Sequence, residues 1–332
     1  MKLTRKLLGA TAILAVTAGA AFADPAIIFD LGGKFDKSFN ESAFGGAERW
    51  AAENGGAAYR DIEMQSEAQR EQALRRLAES GSNPIVMTGF AFSSVLEQVA
   101  PDYPDTTFAI VDGYVVAPNV RSILFTEHEG SYLVGMLAAM ASESSTVGFV
   151  GGMDIPLIRR FACGYAQGAL AANADANVII NYTGTTPAAW NDPVRGGEIT
   201  SAQISQGADV VYAAAGGTGV GVLQTAADSD ILSIGVDSNQ NYLHPGQVLT
   251  SMLKRVDNAV FAAFSEGADM ETGIHVMDLA AGGVGWALDE HNDALITQEM
   301  RDAVAAAEAS IISGDLMVHD YMSDNSCPIS VD

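Results

Sequence analysis

Short apolar runs alternate with stretches of helical periodicity from Ala26 almost to the end of the chain, and no other feature narrows its possible folds so far. Residues 26–29, 84–88, 107–111 and 121–125 read as strands, with a weaker one at 57–64. Between them, 39–53, 66–79 and 92–100 read as helices. In the first helix Phe39, Ala43, Phe44, Ala47, Trp50 and Ala51 recur at helical spacing and make one apolar face. A second set follows, with helices at 129–142, 156–173, 193–206 and 220–228 and strands at 146–150, 177–182, 209–214 and 231–236. A long strand at 248–253, a helix at 257–266, two short apolar stretches around 275–280 and 282–286, and a last helix at 298–313 complete the pattern. This order implies parallel strands joined by crossover helices. Two α/β units of similar size, with more elements after the second, imply two lobes around a cleft and a chain that passes between them more than once. Such a cleft can close over a small ligand.

Open α/β sheets bind ligands at the carboxyl ends of their strands, which directs attention to five loops. After the first strand, Gly32 and Gly33 break the chain; Ser38 then opens a helix with Glu41 three residues on, a capping-box pattern. That turn holds Asp36, Ser38 and Asn40 as hydrogen-bonding groups and Phe39 as a flat aromatic face. The second loop carries Asp112, Gly113 and Tyr114, and the third, 184–192, carries Trp190 and Asn191. The fourth is the glycine run at Gly216, Gly217, Gly219 and Gly221, and the fifth is Asp237, Ser238, Asn239 and Gln240. Asp and Gly are common in any turn, so the weight lies in the shared position. Lys254, closing the strand at 248–253, reads equally as a cleft cation facing Asp237 and as a solvated charge at a helix start. Arg159 and Arg160 read equally as inter-lobe ion-pair partners and as surface charge.

The first residues point to export. Lys2, Arg5 and Lys6 precede an apolar run at 7–18, too short for a membrane span, and Ala21-Phe22-Ala23 is a small-residue cleavage site. The expectation is a soluble exported protein, periplasmic in a host with two membranes, with its leader removed after Ala23. No cysteine occurs in the first 23 residues, so no lipobox thiol is expected. Cleavage takes away three cations and no acid, so the formal net charge of −24 becomes −27. A chain this acidic is unsuited to nucleic acid, whose phosphates need clustered Lys and Arg, and to anionic lipid surfaces. A hydrophobic content of 48% is ample for two cores.

Signals for catalysis or a cofactor are missing. The five histidines (His128, His244, His275, His291, His319) show no metal-ligand spacing, and there is no G-x-S-x-G elbow, Walker A motif or calcium loop. The glycine run from Gly216 is spaced G-G-x-G-x-G, unlike a dinucleotide fingerprint, and does not follow the first strand. No cofactor, no metal and no enzymatic activity are expected. Export permits a disulfide between Cys163 and Cys327, which would tie the C-terminal tail to an earlier helix; the alternative is two unpaired thiols. The bridge is the preferred expectation.

Several runs resemble the basic-membrane-protein (BMP) family of ABC-transporter substrate-binding proteins, whose best-known members are purine nucleoside receptors. They are DKSFN at 36–40, FAIVD at 108–112, VGFVGGM at 147–153, YTG at 182–184, IGVD at 234–237 and TSMLKR at 250–255, in family order. The resemblance implies the type I periplasmic-binding-protein fold: α/β, two Rossmann-like lobes, a ligand cleft and three hinge crossovers. Residues 24–127 with 251–288 are expected in the N-terminal lobe, and 128–250 with 289–332 in the C-terminal lobe. The resemblance also implies that Phe39 stacks on a purine, that Asp112 accepts from a base N–H, and that Asp36 and Asn40 line the same wall. Asp237 and Lys254 would hold the ribose hydroxyls, assisted by a backbone N–H near Gly216 or Gly217, and Trp190 would supply a second aromatic. Alanine at Asp237 or Lys254 is expected to weaken binding and leave the fold intact. The implied partners are a nucleoside and an ABC permease in the inner membrane, with the receptor a monomer. Many family members are lipoproteins; the lack of a lipobox cysteine is a departure. The alternatives are a receptor of the same fold for another small solute, an exported nucleoside-processing enzyme, and a signalling partner that presents its ligand to a receptor.

Overall fold

The computed structural model describes residues 23–329, so the leader read at 1–23 lies outside it except for its final residue. Five parallel strands and one later addition form the first sheet: β1 (Ala26–Phe29), β2 (Arg60–Glu63), β3 (Ile85–Thr88), β4 (Phe108–Val111), β5 (Val120–Phe125) and β11 (Gly273–Met277), in the order β11-β5-β4-β3-β1-β2. The second sheet repeats that order with β6 (Thr146–Met153), β7 (Asn177–Gly184), β8 (Val210–Ala214), β9 (Leu232–Asp237), β10 (Val248–Lys254) and β12 (Val284–Trp286), as β12-β10-β9-β8-β6-β7. All pairings are parallel except β10 with β12. The core strands are buried on both faces, as parallel sheets covered by helices require.

Helices α1 (Phe39–Glu53), α2 (Arg70–Glu79), α3 (Ser93–Val99) and α8 (Val256–Glu266) belong with the first sheet. Helices α4 (Glu127–Ala141), α5 (Pro156–Ala172), α6 (Pro193–Ser205), α7 (Gly219–Asp228) and α9 (Gln298–Ser313) belong with the second, and a short α10 (Tyr321–Asp324) rests on α5. This is the two-lobed type I periplasmic-binding-protein architecture. One apolar cluster, from Phe29 and Ala47 through Leu133 and Tyr165 to Val260 and Val304, is continuous through both lobes. Separate clusters fill the outer face of each sheet.

The chain passes between lobes three times: from Phe125 into α4, from Lys254 into α8, and from Met277 to β12. The second and third passages differ from the expected boundaries. Residue 251 lies within β10, all of which pairs in the second sheet, and the return precedes 288 because β12 is already in that sheet. Passages occur where a strand ladder ends, which composition alone does not mark.

The tail is fixed by the Cys163–Cys327 disulfide, with Cα atoms 5.8 Å apart. The capping box at the start of α1 does not form. Ser38 makes no side-chain cap. Instead the Asp36 carboxylate accepts the backbone N–H groups of Ser38 (2.9 Å), Asn40 (3.0 Å) and Glu41 (3.0 Å). A carboxylate at a helix N-terminus satisfies orphan donors and complements the helix dipole, and this frees the Ser38 hydroxyl to point across the cleft.

Candidate functional site

β4 and β9 occupy the third place in their sheets, and Asp112 just past one and Asp237 at the end of the other have the same unusual backbone: φ is 63° at Asp112 and 64° at Asp237. Left-handed non-glycine residues are uncommon, though Asp tolerates them better than most, and they concentrate at functional sites. This backbone turns both carboxylates toward the space between the lobes, where both line the cleft.

Lys254, the last residue of β10, lies between them and is only 2% exposed. Its Nζ donates to Asp112 Oδ2 at 2.6 Å and pairs with Glu127 Oε1 at 2.8 Å. The ammonium also lies 5.1 Å from the Phe125 ring, 5.4 Å from Phe39 and 5.5 Å from Phe161, within cation–π reach. Burial alone would lower its pKa, but Asp112, Glu127 and Asp237 together raise it, so Lys254 is charged. Burial pushes the Asp112 carboxyl up to about 6, against the pull of Lys254 and with help from Glu127. Asp237 is likewise pushed up to about 6 by burial, opposed by Lys254 and the Ser38 hydroxyl. Burial would raise Glu127 too, yet Lys254 and Arg160 outweigh it and hold its pKa below the usual value.

The lobes touch at one side of this cluster. Ser38 Oγ donates to Asp237 Oδ2 at 2.5 Å, Ser238 Oγ donates to the Ser38 carbonyl at 2.9 Å, and Gln240 Nε2 donates to the Lys37 carbonyl at 2.9 Å. Asp112 Oδ1, by contrast, is buried and accepts no hydrogen bond among the described residues. A buried acceptor without a donor costs about 1–3 kcal/mol.

The cleft opens to solvent at its mouth and holds about 90 Å³ of interior space. Eight of the nine residues expected to contact ligand line it: Asp36, Phe39, Asn40, Asp112, Trp190, Gly216, Asp237 and Lys254. Gly217 does not; its α-carbon faces the Trp190 carbonyl and Asp36 instead. Two of the eight have their polar atoms committed elsewhere. Asp36 caps α1, and Asn40 donates to the Asp30 and Gly33 carbonyls (3.2 Å each) while accepting from Thr88 Oγ1 at 2.9 Å. The Trp190 indole lies over Gly152 so closely that a β-carbon there would fall 2.1 Å from the ring, which accounts for glycine at the end of β6.

Sequence reading missed Phe90 and Phe161, which line the same space. Phe90 follows Gly89 at the end of β3, a strand-end signal that could have been used; Phe161 comes from the α5 face, and nothing local marks it. Arg160 also resolves. It is partly buried, and its Nη1 donates to Glu127 Oε2 at 3.0 Å and to the Phe125 carbonyl at 2.7 Å, whereas Arg159 pairs locally with Asp154. Among the described residues no group of three or more His, Cys, Asp or Glu is arranged to hold a metal ion. The site therefore presents aromatic faces, one fixed cation and two buried carboxylates to a ligand of modest size.

A family model described as "ABC transporter substrate-binding protein PnrA-like" matches residues 25–320. The chain is 33% identical over 318 residues to the ABC transporter nucleoside-binding protein BmpA of Lactococcus lactis subsp. cremoris, covering 88% of each. It is 36% identical over 286 residues to an uncharacterized lipoprotein of Pyrococcus furiosus, covering 80% of this chain and 70% of that one. Its structure is similar to the crystal structure of an ABC transporter solute-binding protein from Aeropyrum pernix, with a TM-score of 0.80 and 30% identity over 89% of this chain and 92% of that one.

Proposed function

The chain belongs to the BMP family of PnrA-like ABC-transporter substrate-binding proteins, and from that premise we propose that it binds a purine nucleoside between its lobes and delivers it, as a monomer outside the cytoplasmic membrane, to an ABC permease. It acts as a receptor and not as an enzyme. The observation that carries the reading is Asp112 Oδ1: a buried, unpartnered acceptor on an aromatic-lined wall calls for a ligand donor, and a base N–H supplies one beside a stacking face. Phe39, with Trp190 also on the cleft wall, stacks the base. Asp237 and Lys254 take the ribose hydroxyls, and the Gly216 turn adds a backbone contact. Asp36 and Asn40 act differently from the other wall residues: they hold the first loop in shape.

The magnitudes are adequate. Stacking a base on an aromatic side chain is worth about 1–3 kcal/mol, and a hydrogen bond to a charged group about 1.5–3 kcal/mol. Micromolar binding needs about 8 kcal/mol, which one stack and a few such bonds supply. The printed name of the Lactococcus relative, a nucleoside-binding protein, supports the same ligand class. The Pyrococcus relative is named a lipoprotein, whereas the two cysteines of this chain, Cys163 and Cys327, are joined to each other.

The test is calorimetric titration of unfolded, ligand-stripped and refolded protein with adenosine, guanosine, inosine, uridine and free adenine. Purine nucleosides are expected to bind at about micromolar Kd or tighter, with free adenine much weaker. Silence across the panel in folded protein would overturn the nucleoside assignment.

A further inference from the structure

The charge cluster at the cleft does not end at Glu127. Arg160, on α5, bridges Glu127 and the Phe125 carbonyl on one side and the C-terminal tail on the other, where its Nε and Nη2 donate to Asp320 Oδ1 and Oδ2 at 2.7 Å each. A two-pronged guanidinium–carboxylate pair fixes orientation as well as charge. The tail itself is pinned along one face of α5. Arg160, Cys163 and Gln167 are spaced i, i+3, i+7, so they share that face. Cys163 bonds covalently to Cys327, and Gln167 exchanges two hydrogen bonds with the His319 backbone, donating at 3.0 Å and accepting at 2.9 Å.

We infer that the C-terminal tail is a brace that positions the cleft lysine: Asp320 clamps Arg160, Arg160 fixes Glu127 at the first inter-lobe passage, and Glu127 holds Lys254 at the second. Asp320 and Arg160 are thus positioning residues that touch no ligand. The disulfide and Gln167 would suffice to tether a tail. The third attachment sets the orientation of a guanidinium whose other end meets Phe125 and Glu127 where the chain leaves the first lobe. Without the Asp320 carboxylate, Arg160 keeps its contacts to Glu127 but loses its fixed orientation, and the sharing of Glu127 between Arg160 and Lys254 changes. The consequence for affinity rests on Lys254 being a ligand contact; the consequence for Lys254 itself does not.

That separation defines the experiment. Lys34, Lys37 and Lys254 are the only lysines beyond residue 6, so ¹⁵N-lysine labelling gives a readable ammonium spectrum, with the buried Lys254 resonance distinct by slow exchange. Asp320→Asn keeps an oxygen for the Met322 N–H that Asp320 now accepts at 2.9 Å, and removes the charge together with the second acceptor of the Arg160 fork. The expected results are a shifted or exchange-broadened Lys254 resonance, inosine affinity lowered about fivefold, the scale of coupling through a shared ion-pair network, and recovery of both in Asp320→Glu. Arg160→Lys, which keeps the charge and loses the fork, is expected to move the resonance as well. A wild-type resonance in both folded variants would overturn the brace, whatever the affinity. If the wild-type protein binds no inosine, the nucleoside reading fails by itself, and the resonance still decides the brace: a shift upholds it and coincidence with wild type rejects it.

Discussion

Asp112 and Asp237 stand at matching strand ends in the two lobes, with the same backbone twist, yet they take different partners. Asp112 is the counter-ion of Lys254, bonded at 2.6 Å, and keeps one oxygen unpartnered at the cleft. Asp237 takes the Ser38 hydroxyl from the opposite lobe and feels Lys254 only through space. Each lobe thus supplies one acid at one geometry, but only the first lobe's acid is tied into the ion network that spans the hinge. The lesson is that equivalent positions in a duplicated architecture divide their duties by what the crossovers bring beside them. Lys254 and Glu127 both sit where the chain changes lobe, and both lie on Asp112's side of the network.

The largest effect should come from the shared cation. Lys254→Met leaves Asp112 buried without its partner and Glu127 with Arg160 alone; removing one member of a buried pair costs about 3–5 kcal/mol. Nucleoside binding should be lost and thermal unfolding should occur at a markedly lower temperature. The sequence-based expectation that alanine at Lys254 spares the fold is therefore revised: it weighed only Asp237 as the partner of a cleft cation that also neutralises Asp112 and Glu127. For Asp237 the same expectation is kept.

The two acids should then separate. Asp112→Asn and Asp237→Asn are each expected to lower inosine affinity about 10- to 100-fold, the loss of one charge-assisted hydrogen bond. Only Asp112→Asn should shift the Lys254 ammonium resonance of the ligand-free protein at pH 7, because it takes away the carboxylate that Lys254 Nζ bonds at 2.6 Å. Burial outweighs the pull of Lys254 at both acids, so neither substitution should lower the unfolding temperature much. Equal shifts of the resonance in both variants would erase the distinction.

Acidification should have the smallest effect. Both carboxyls are raised to about 6 from 3.8, so the folded protein holds these protons more tightly than the unfolded chain. Their contribution to stability is therefore present at low pH and fades as pH rises through about 6. Binding runs the other way, since the ligand needs ionised acceptors. Affinity for inosine should fall about tenfold from pH 7 to pH 5 if one ionised carboxylate is required, and Asp237→Asn should retain whatever part of that dependence belongs to Asp112. Calorimetry across this range reads it directly.

Most of the fold was legible because its signals are local. The helix at 39–53 was readable from apolar spacing, and nearly every strand from a short buried run bounded by polar or glycine residues. Phe39, Asp112, Asp237 and Lys254 were legible as site candidates because each sits at a strand's carboxyl end or a loop after one, a position topology alone makes important. Three features were not. Ser38 and Glu41 have capping-box spacing, but Asp36 two residues earlier captures the same donors, and sequence does not rank competing caps. Glu127 looks like an ordinary acid in the first turn of a helix, and Arg160 like one of two adjacent cations; their pairing joins α4 to α5 and the tail across long sequence separations. The lobe boundary near 251 was misplaced because the end of a hydrogen-bonded ladder is a property of the neighbouring strand, not of the residues that end.

The central claim is that the two acids read different parts of one ligand, Asp112 the base and Asp237 the sugar. The direct measurement is titration of inosine and its 2′,3′-dideoxy analogue into wild type, Asp112→Asn and Asp237→Asn. Wild type should prefer inosine by about 10- to 100-fold, Asp237→Asn should lose most of that preference, and Asp112→Asn should bind both compounds more weakly while keeping it. A preference that survives in Asp237→Asn, or that disappears in Asp112→Asn, would contradict the division.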